Sequence, residues 1–143
     1  MARFSGYWLV VVFYSLAMAS KSLKEGYDNL QWGKRLLGSL LTTIAQVSPL
    51  DCAEECLVRP GCLSFNYRRA AIFCELNYEN DSSSDTNLTE ENGWIFSLRE
   101  NWPMELTGLC KEPTCSLNEK CERKAFGEFN CTIARELMNL INK

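Results

Sequence analysis

Cys52-Ala53-Glu54-Glu55-Cys56-Leu57-Val58-Arg59-Pro60-Gly61-Cys62-Leu63-Ser64-Phe65-Asn66-Tyr67-Arg68-Arg69-Ala70-Ala71-Ile72-Phe73-Cys74 carries four of the eight cysteines in a chain of 143 residues. It is entered through Ser48-Pro49-Leu50-Asp51, a helix-start signal. The Ser48 hydroxyl accepts from the free N–H groups of the first turn, and Pro49 has no N–H to lose at the first helical position. Asp51 closes a capping-box contact, and its charge suits the positive end of the helix dipole. Pro60-Gly61 stops the helix early. Cys52 and Cys56 lie four residues apart, so their sulfurs leave one helical face, which Ala53 and Leu57 widen. Residues 63–67 then alternate apolar and polar, as in a half-buried strand. Residues 68–71 form a turn, and Ile72, Cys74 and Leu76 share one face of a second strand. The expected product is one helix pinned against a hairpin by two disulfides.

Outside this stretch the sequence speaks first about compartment. Residues 1–19 read as a cleaved secretory signal: Arg3 gives a positive start, residues 7–16 a short apolar run, and Ala17-Met18-Ala19 small residues for cleavage. The run is too short to span a bilayer, and no later stretch is long enough, so no transmembrane segment is expected. Eight cysteines in a short secreted chain read as a disulfide framework. The chain has no histidine. Mixed Cys/His zinc sites are thereby excluded, and no two cysteines show the close spacing of a four-cysteine site, so no metal and no cofactor are expected. The same lack removes the imidazole base of serine and cysteine nucleophiles, and an even cysteine count leaves no thiolate, so the chain is not expected to be an enzyme. Its net charge of −3 does not suit nucleic acid.

In chain order, residues 20–31 are polar and read as loose. Residues 32–47, rich in Leu, Thr, Ile and Val, read as the first strands, with Gly33 and Gly38 at bends, although Leu36, Leu40 and Ile44 also fit helical spacing. Residues 77–92 read as a loop, with Asp81-Ser82-Ser83-Ser84-Asp85 of exposed composition. The sequons at Asn80 and Asn87 are expected to carry glycans there. Residues 93–98, with Trp94-Ile95-Phe96, form a last strand, and residues 100–103 end the domain.

Ser48-Pro49, the Asp51-Cys52-x3-Cys56 spacing, Pro60-Gly61-Cys62, Ser64-Phe65-Asn66-Tyr67 and Cys74-Glu75-Leu76 together resemble the PAN/apple module. The resemblance covers roughly residues 32–102, within a domain set at 30–102. It implies an α+β fold, one helix packed on an antiparallel sheet in a small disulfide-rich module. It also implies nested bridges, Cys52–Cys74 outside Cys56–Cys62, which spacing alone leaves open.

A second segment, 108–133, contains Cys110-x4-Cys115-x5-Cys121-x9-Cys131, with Gly127 and Phe129 before the last cysteine. It resembles the first four cysteines of an EGF-like domain, for which the family pairing is Cys110–Cys121 and Cys115–Cys131. Where that family continues with further cysteines, this chain has Ile133, so the segment is a partial module. A tail, 134–143, follows, with Ile133, Leu137, Leu140 and Ile141 at helical spacing. Glu105-Leu106-Thr107-Gly108 lacks the acidic pattern of calcium-binding EGF-like modules. The Asn130 sequon contains Cys131 and is the weakest of the three.

Two basic pairs, Lys34-Arg35 and Arg68-Arg69, are the candidate ligand-binding residues, because guanidinium and ammonium groups grip the anionic groups of sulfated glycans. Solvated turn and strand-edge positions explain the same residues more simply, and the net acidic charge of the module region weakens the glycan reading. Trp32, Trp94 and Trp102 are candidates for a recognition surface, with Trp94 expected in the core. The resemblance implies a secreted, non-enzymatic binding module whose partners are extracellular proteins or glycans. The alternatives are a diffusible growth-factor-like or toxin-like ligand, or a fragment of a larger multidomain extracellular protein.

Overall fold

The computed structural model describes residues 23–84, 87–111 and 115–134. The expected signal segment, 1–19, and residues 135–143 of the tail lie outside the described residues. Residues 23–28 are helical rather than loose. Leu23 and Tyr27, four apart, share the inner face of that helix. Leu23 packs on the core, and the Tyr27 ring meets Trp102 edge-on at 5.3 Å.

Strands β1 (Gln31–Leu37) and β2 (Leu40–Ala45) precede helix α1 (Pro49–Leu57), and β3 (Ser64–Arg68), β4 (Phe73–Asn77) and β5 (Asn87–Leu98) follow it. The five strands make one antiparallel sheet in the order β1-β5-β3-β4-β2. The capping box forms: the Asp51 amide donates to the Ser48 hydroxyl at 3.1 Å, and the Ser48 amide donates to the Asp51 carboxylate at 2.8 Å. Hydrogen bonds from Ser48 hold the Asp51 carboxyl below its ordinary pKa. Helix α1 buries Cys52, Ala53, Cys56 and Leu57 against Phe65, Tyr67, Cys74, Leu76 and Ile95 of the sheet. Each large apolar side chain buried there contributes roughly 1.5–3 kcal/mol. Bridges Cys52–Cys74 and Cys56–Cys62 are present, the nested pairs that the PAN/apple resemblance implies. The first ties α1 to β4, and the second staples the turn that leaves the helix.

Two further expectations fail in detail. The loop expected over 77–92 ends sooner, because β5 begins at Asn87 and its first residues pair with the end of β1, from Leu37↔Asn87 to Lys34↔Glu90. Polar composition suggested a loop there, but Glu90 and Glu91 meet Lys34 and Arg35 as cross-strand partners. Ile72 is not in a strand either. It takes a left-handed conformation (φ 50°) after the turn Arg69–Ala71 and is exposed, and β4 starts one residue later. Its carbonyl accepts from the Gln46 amide at 2.8 Å, which ties the turn to the end of β2.

The ribbon of β1 and β5 bends where its register jumps from Trp32↔Ile95 to Lys34↔Glu90. Gly33 (φ 70°) and Gly93 (φ 87°) stand at the break, in a conformation that a Cβ disfavours. Beyond it, β1 reaches the sheet face opposite α1. The Asn66 side chain there accepts from the Leu36 amide at 2.8 Å and donates to the Leu36 carbonyl at 2.9 Å. One amide thus replaces a missing rung of ladder and lets Leu36 be buried.

The last described segment is a hairpin of β6 (Glu119–Arg123) and β7 (Phe129–Ile133), held by Cys110–Cys121 and Cys115–Cys131. It docks on the C-terminal end of α1, where the Cys121 amide donates to the Val58 carbonyl at 2.9 Å. The same helix end receives Arg99, from just beyond β5. Its guanidinium donates to the carbonyls of Leu57 (2.8 Å), Arg59 (2.6 Å), Cys62 (3.0 Å) and Cys56 (3.3 Å). Cys56 and Leu57 belong to the last turn of the helix, whose carbonyls lack intrahelical partners, and Arg59 and Cys62 to the turn that follows, where Cys56 and Arg59 also accept backbone N–H groups. Burial lowers the Arg99 pKa from its ordinary value.

Replacing Cys52 and Cys74 together by serine should cost about 1 kcal/mol more than replacing Cys56 and Cys62, because the outer loop spans 22 residues and the inner one 6. Urea unfolding of the two double variants measures the difference. Arg99→Ala should lower stability by about 2–4 kcal/mol, and Arg99→Lys should recover little of it, since an ammonium cannot fork across four carbonyls. Thermal unfolding of the three proteins checks both statements.

Candidate binding site

A pocket of ≈ 370 Å³ opens where the hairpin meets the sheet domain. Leu41 of β2, Pro60, Gly61, Leu63 and Tyr78 line it from the domain, and Leu117 and Asn118 from the base of the hairpin. Each wall has a local cause. Pro60-Gly61 ends α1, and Gly61 is the point of closest approach, since a Cβ there would collide with the Leu117 carbonyl. Leu63 is placed by two backbone bonds: its amide donates to Asn77 and its carbonyl accepts from Arg99. Tyr78 leaves the end of β4 and donates its hydroxyl to the Gly38 carbonyl at 3.2 Å. Leu63, Tyr78 and Leu117 remain exposed, Leu117 by 75%. Exposed apolar side chains gathered round a concavity mark interaction sites more reliably than single ones do.

A neighbouring cavity of ≈ 320 Å³ shares Leu63 and is lined also by Asn80, Leu98, Arg99, Glu100 and Trp102. It is the more polar of the two, and the Arg99 fork forms part of its wall.

The sequence-derived candidates lie elsewhere. Lys34 pairs with Glu90. Arg35 donates to Glu75 at 3.0 Å and reaches Glu91 at 3.3 Å. Hydrogen bonding to Glu75 raises its pKa, against the opposing effect of burial. The guanidinium of Arg35 also stacks on the Trp94 ring at 3.9 Å, and that of Arg68 lies 5.6 Å from the same ring. The fold therefore brings Arg35 and Arg68 to one aromatic face. Arg69 stands exposed in the following turn. Two of the four cations already hold carboxylates, so they stiffen the β1–β5 ribbon rather than offering open charge. The three tryptophans do not make one surface: Trp94 and Trp102 are buried, and Trp32 is exposed by 61%. Trp102 instead donates its ring N–H to Ser97 at 2.9 Å, within the core.

With the helix, sheet and nested bridges in place, the family can be compared directly. The model of the PAN domain matches residues 31–99. Residues 31–99 form a PAN domain. PAN domains are binding modules for proteins and carbohydrates in extracellular proteins, and they are typically non-enzymatic. Among solved structures, the two N-terminal apple domains of microneme protein 4 from Toxoplasma gondii are similar, at 22% identity and a TM-score of 0.35. That match covers 52% of this chain and 41% of the other, so the chain spans less than half of that structure. No curated protein matches the chain. Among the described residues no helix is long and apolar enough to cross a membrane.

The pocket residues Leu63, Tyr78 and Leu117 carry no signal in the sequence beyond being apolar. They are 54 and fewer residues apart, and only the docked hairpin gathers them.

Glu55 secures that docking, reaching Lys120 of β6 at 3.1 Å while also pairing with Arg59. Burial raises its pKa, but the hydrogen bond and charge of Arg59, with Lys120 behind them, outweigh this and leave it lowered. A carboxylate with a lowered folded pKa contributes stability above its unfolded value, which is lost as pH falls through the folded one. Glu55→Gln should therefore cost up to about 1 kcal/mol at pH 7, discounted for its partial exposure. The variant and the parent should converge in stability as the pH falls through the folded pKa of Glu55, below which both side chains are neutral. Denaturant unfolding at a series of pH values from 7 downward reads the difference.

Proposed function

We propose that the chain is a secreted, non-enzymatic binding module, a PAN domain followed by a partial EGF-like unit, which holds an apolar side chain of an extracellular protein in the pocket between the two. The observation that carries this reading is the pocket itself: its walls come from both units, and Leu63, Tyr78 and Leu117 stand exposed around it. Secretion is supported by the signal-like residues 1–19 and by four disulfides. Glycans are proposed at Asn80 and Asn87, and less strongly at Asn130. Asn87 and Asn130 are exposed, and Asn80 accepts from the Ser82 amide in a surface turn.

A protein partner is favoured over a sulfated glycan by the fate of the basic residues. Lys34 and Arg35 would have to release Glu90, Glu75 and Glu91 to hold sulfate. Arg68 and Arg69 alone offer a narrow anion site, in a chain of net negative charge.

The test is a titration followed by amide NMR. N-acetyl-leucinamide, standing for the apolar side chain of a partner, should shift the amides of Leu63, Tyr78, Leu117 and Asn118. A heparin oligosaccharide should leave those of Lys34, Arg35, Arg68 and Arg69 in place. Shifts at the four basic residues with heparin, and none at the pocket with the amide, would transfer the site to the basic pairs.

A further inference from the structure

The turn joining β6 to β7 holds its residues in left-handed conformations, Phe126 at φ 66° and Gly127 at φ 78°. Glycine tolerates this, but the position before it favours asparagine, aspartate or glycine, and a bulky aromatic is strained there. Nothing in the turn explains the choice, since the Phe126 side chain is fully exposed. Strain together with a large apolar group in water points to a contact made with something else. The tip is also rigid: Cys121 and Cys131 stand opposite each other in the hairpin and are both bridged, and the Lys124 amide donates to Glu128 at 2.8 Å.

At the other end of the same hairpin lies the apolar pocket, with Leu117 and Asn118 in its wall. Knob and pocket are separated by the length of β6, roughly 20 Å. A stapled hairpin cannot fold its tip back onto its base, so the knob of one molecule can fill only the pocket of another. The charges agree. Arg123 and Lys124 lead into the tip, whereas the pocket residues Tyr78 and Asn118 are each followed by an acid, Glu79 and Glu119, with Asp81 exposed nearby. Glu122 and Glu128 equal Arg123 and Lys124 in number and Arg123 lies 3.9 Å from Glu54, so the complementarity rests on Lys124, exposed two residues before Phe126. A pocket of ≈ 370 Å³ has the size of a small-ligand site and admits one aromatic ring.

We infer that a second copy of this chain is a ligand of the pocket, with Phe126 of one molecule seated between Leu63, Tyr78 and Leu117 of the next. This rests on the reading of the pocket as a site for an apolar side chain. The contact is heterologous, so each molecule offers one knob and one pocket and association extends beyond a dimer.

Sedimentation velocity of the disulfide-intact secreted protein tests it. The parent should grow with concentration past the dimer. Phe126→Ser, which lacks the knob, and Leu117→Arg, which blocks the pocket and repels Lys124, should each associate at least about tenfold more weakly. Both positions are exposed, so circular dichroism and thiol content should match the parent. An equimolar mixture of the two variants should recover association but stop at a dimer, because only one knob and one pocket remain. Association that survives either substitution, or a mixture that stays monomeric, overturns the inference. A monomeric parent also overturns it, and N-acetyl-phenylalaninamide then separates the cases. Shifts at the pocket amides keep the pocket as a site for a different protein, and their absence removes that reading too.

Discussion

The carbonyls at the end of helix α1 are the point on which this structure is assembled. The helix has no glycine cap; Val58 closes it in a right-handed conformation. Backbone N–H groups reach Cys56 and Arg59 there, but the other carbonyls of the helix end need donors from elsewhere, since an unsatisfied polar group in a small core costs about 1–3 kcal/mol. Two distant segments meet that need. Arg99, arriving from the end of β5, covers Cys56, Leu57, Arg59 and Cys62. The Cys121 amide of the hairpin takes Val58. One local shortage of donors thus fixes the helix to the sheet and the second unit to the first.

The proposed site follows from that arrangement. The PAN domain alone supplies most of an apolar surface at Leu41, Pro60, Leu63 and Tyr78. The docked hairpin adds Leu117 and turns the surface into a pocket. The disulfides hold the parts that a chain of this size could not fix by burial alone. The opposite face of the sheet is spent internally, on Asn66 bonding Leu36 and on Arg35 stacked over Trp94 between its carboxylate partners. The proposed site and the internal polar network therefore lie apart: cations and amides build the ribbon side, and apolar side chains face outward on the hairpin side.

What could be read in the sequence was local. Ser48 and Asp51 announce the capping box because their partners lie within three residues. The nested cysteines become legible through the family resemblance, and Pro60-Gly61 marks the helix end directly. Long-range features were hidden. Lys34 and Arg35 look like open charge until β5 brings Glu90 and Glu91 opposite them, 56 residues away in each case. Residues 87–92 look like a loop because the same acids are polar. Arg99 reads as an ordinary surface cation, since its acceptors lie some 40 residues earlier. Leu117 belongs to the pocket only once the hairpin is docked.

The docking of the hairpin on α1 is tested most directly by hydrogen exchange at the Cys121 amide. Cys121 faces Cys131 across the hairpin, and its N–H turns outward to Val58 of the helix. Its protection therefore comes from the contact between the two units. The account predicts that this amide exchanges slowly, at a rate set by opening of the helix end, and that Arg99→Ala accelerates it. Exchange at the rate of an exposed hairpin amide, unchanged by that substitution, would mean that the two units are not joined as described and that the pocket between them does not exist in solution.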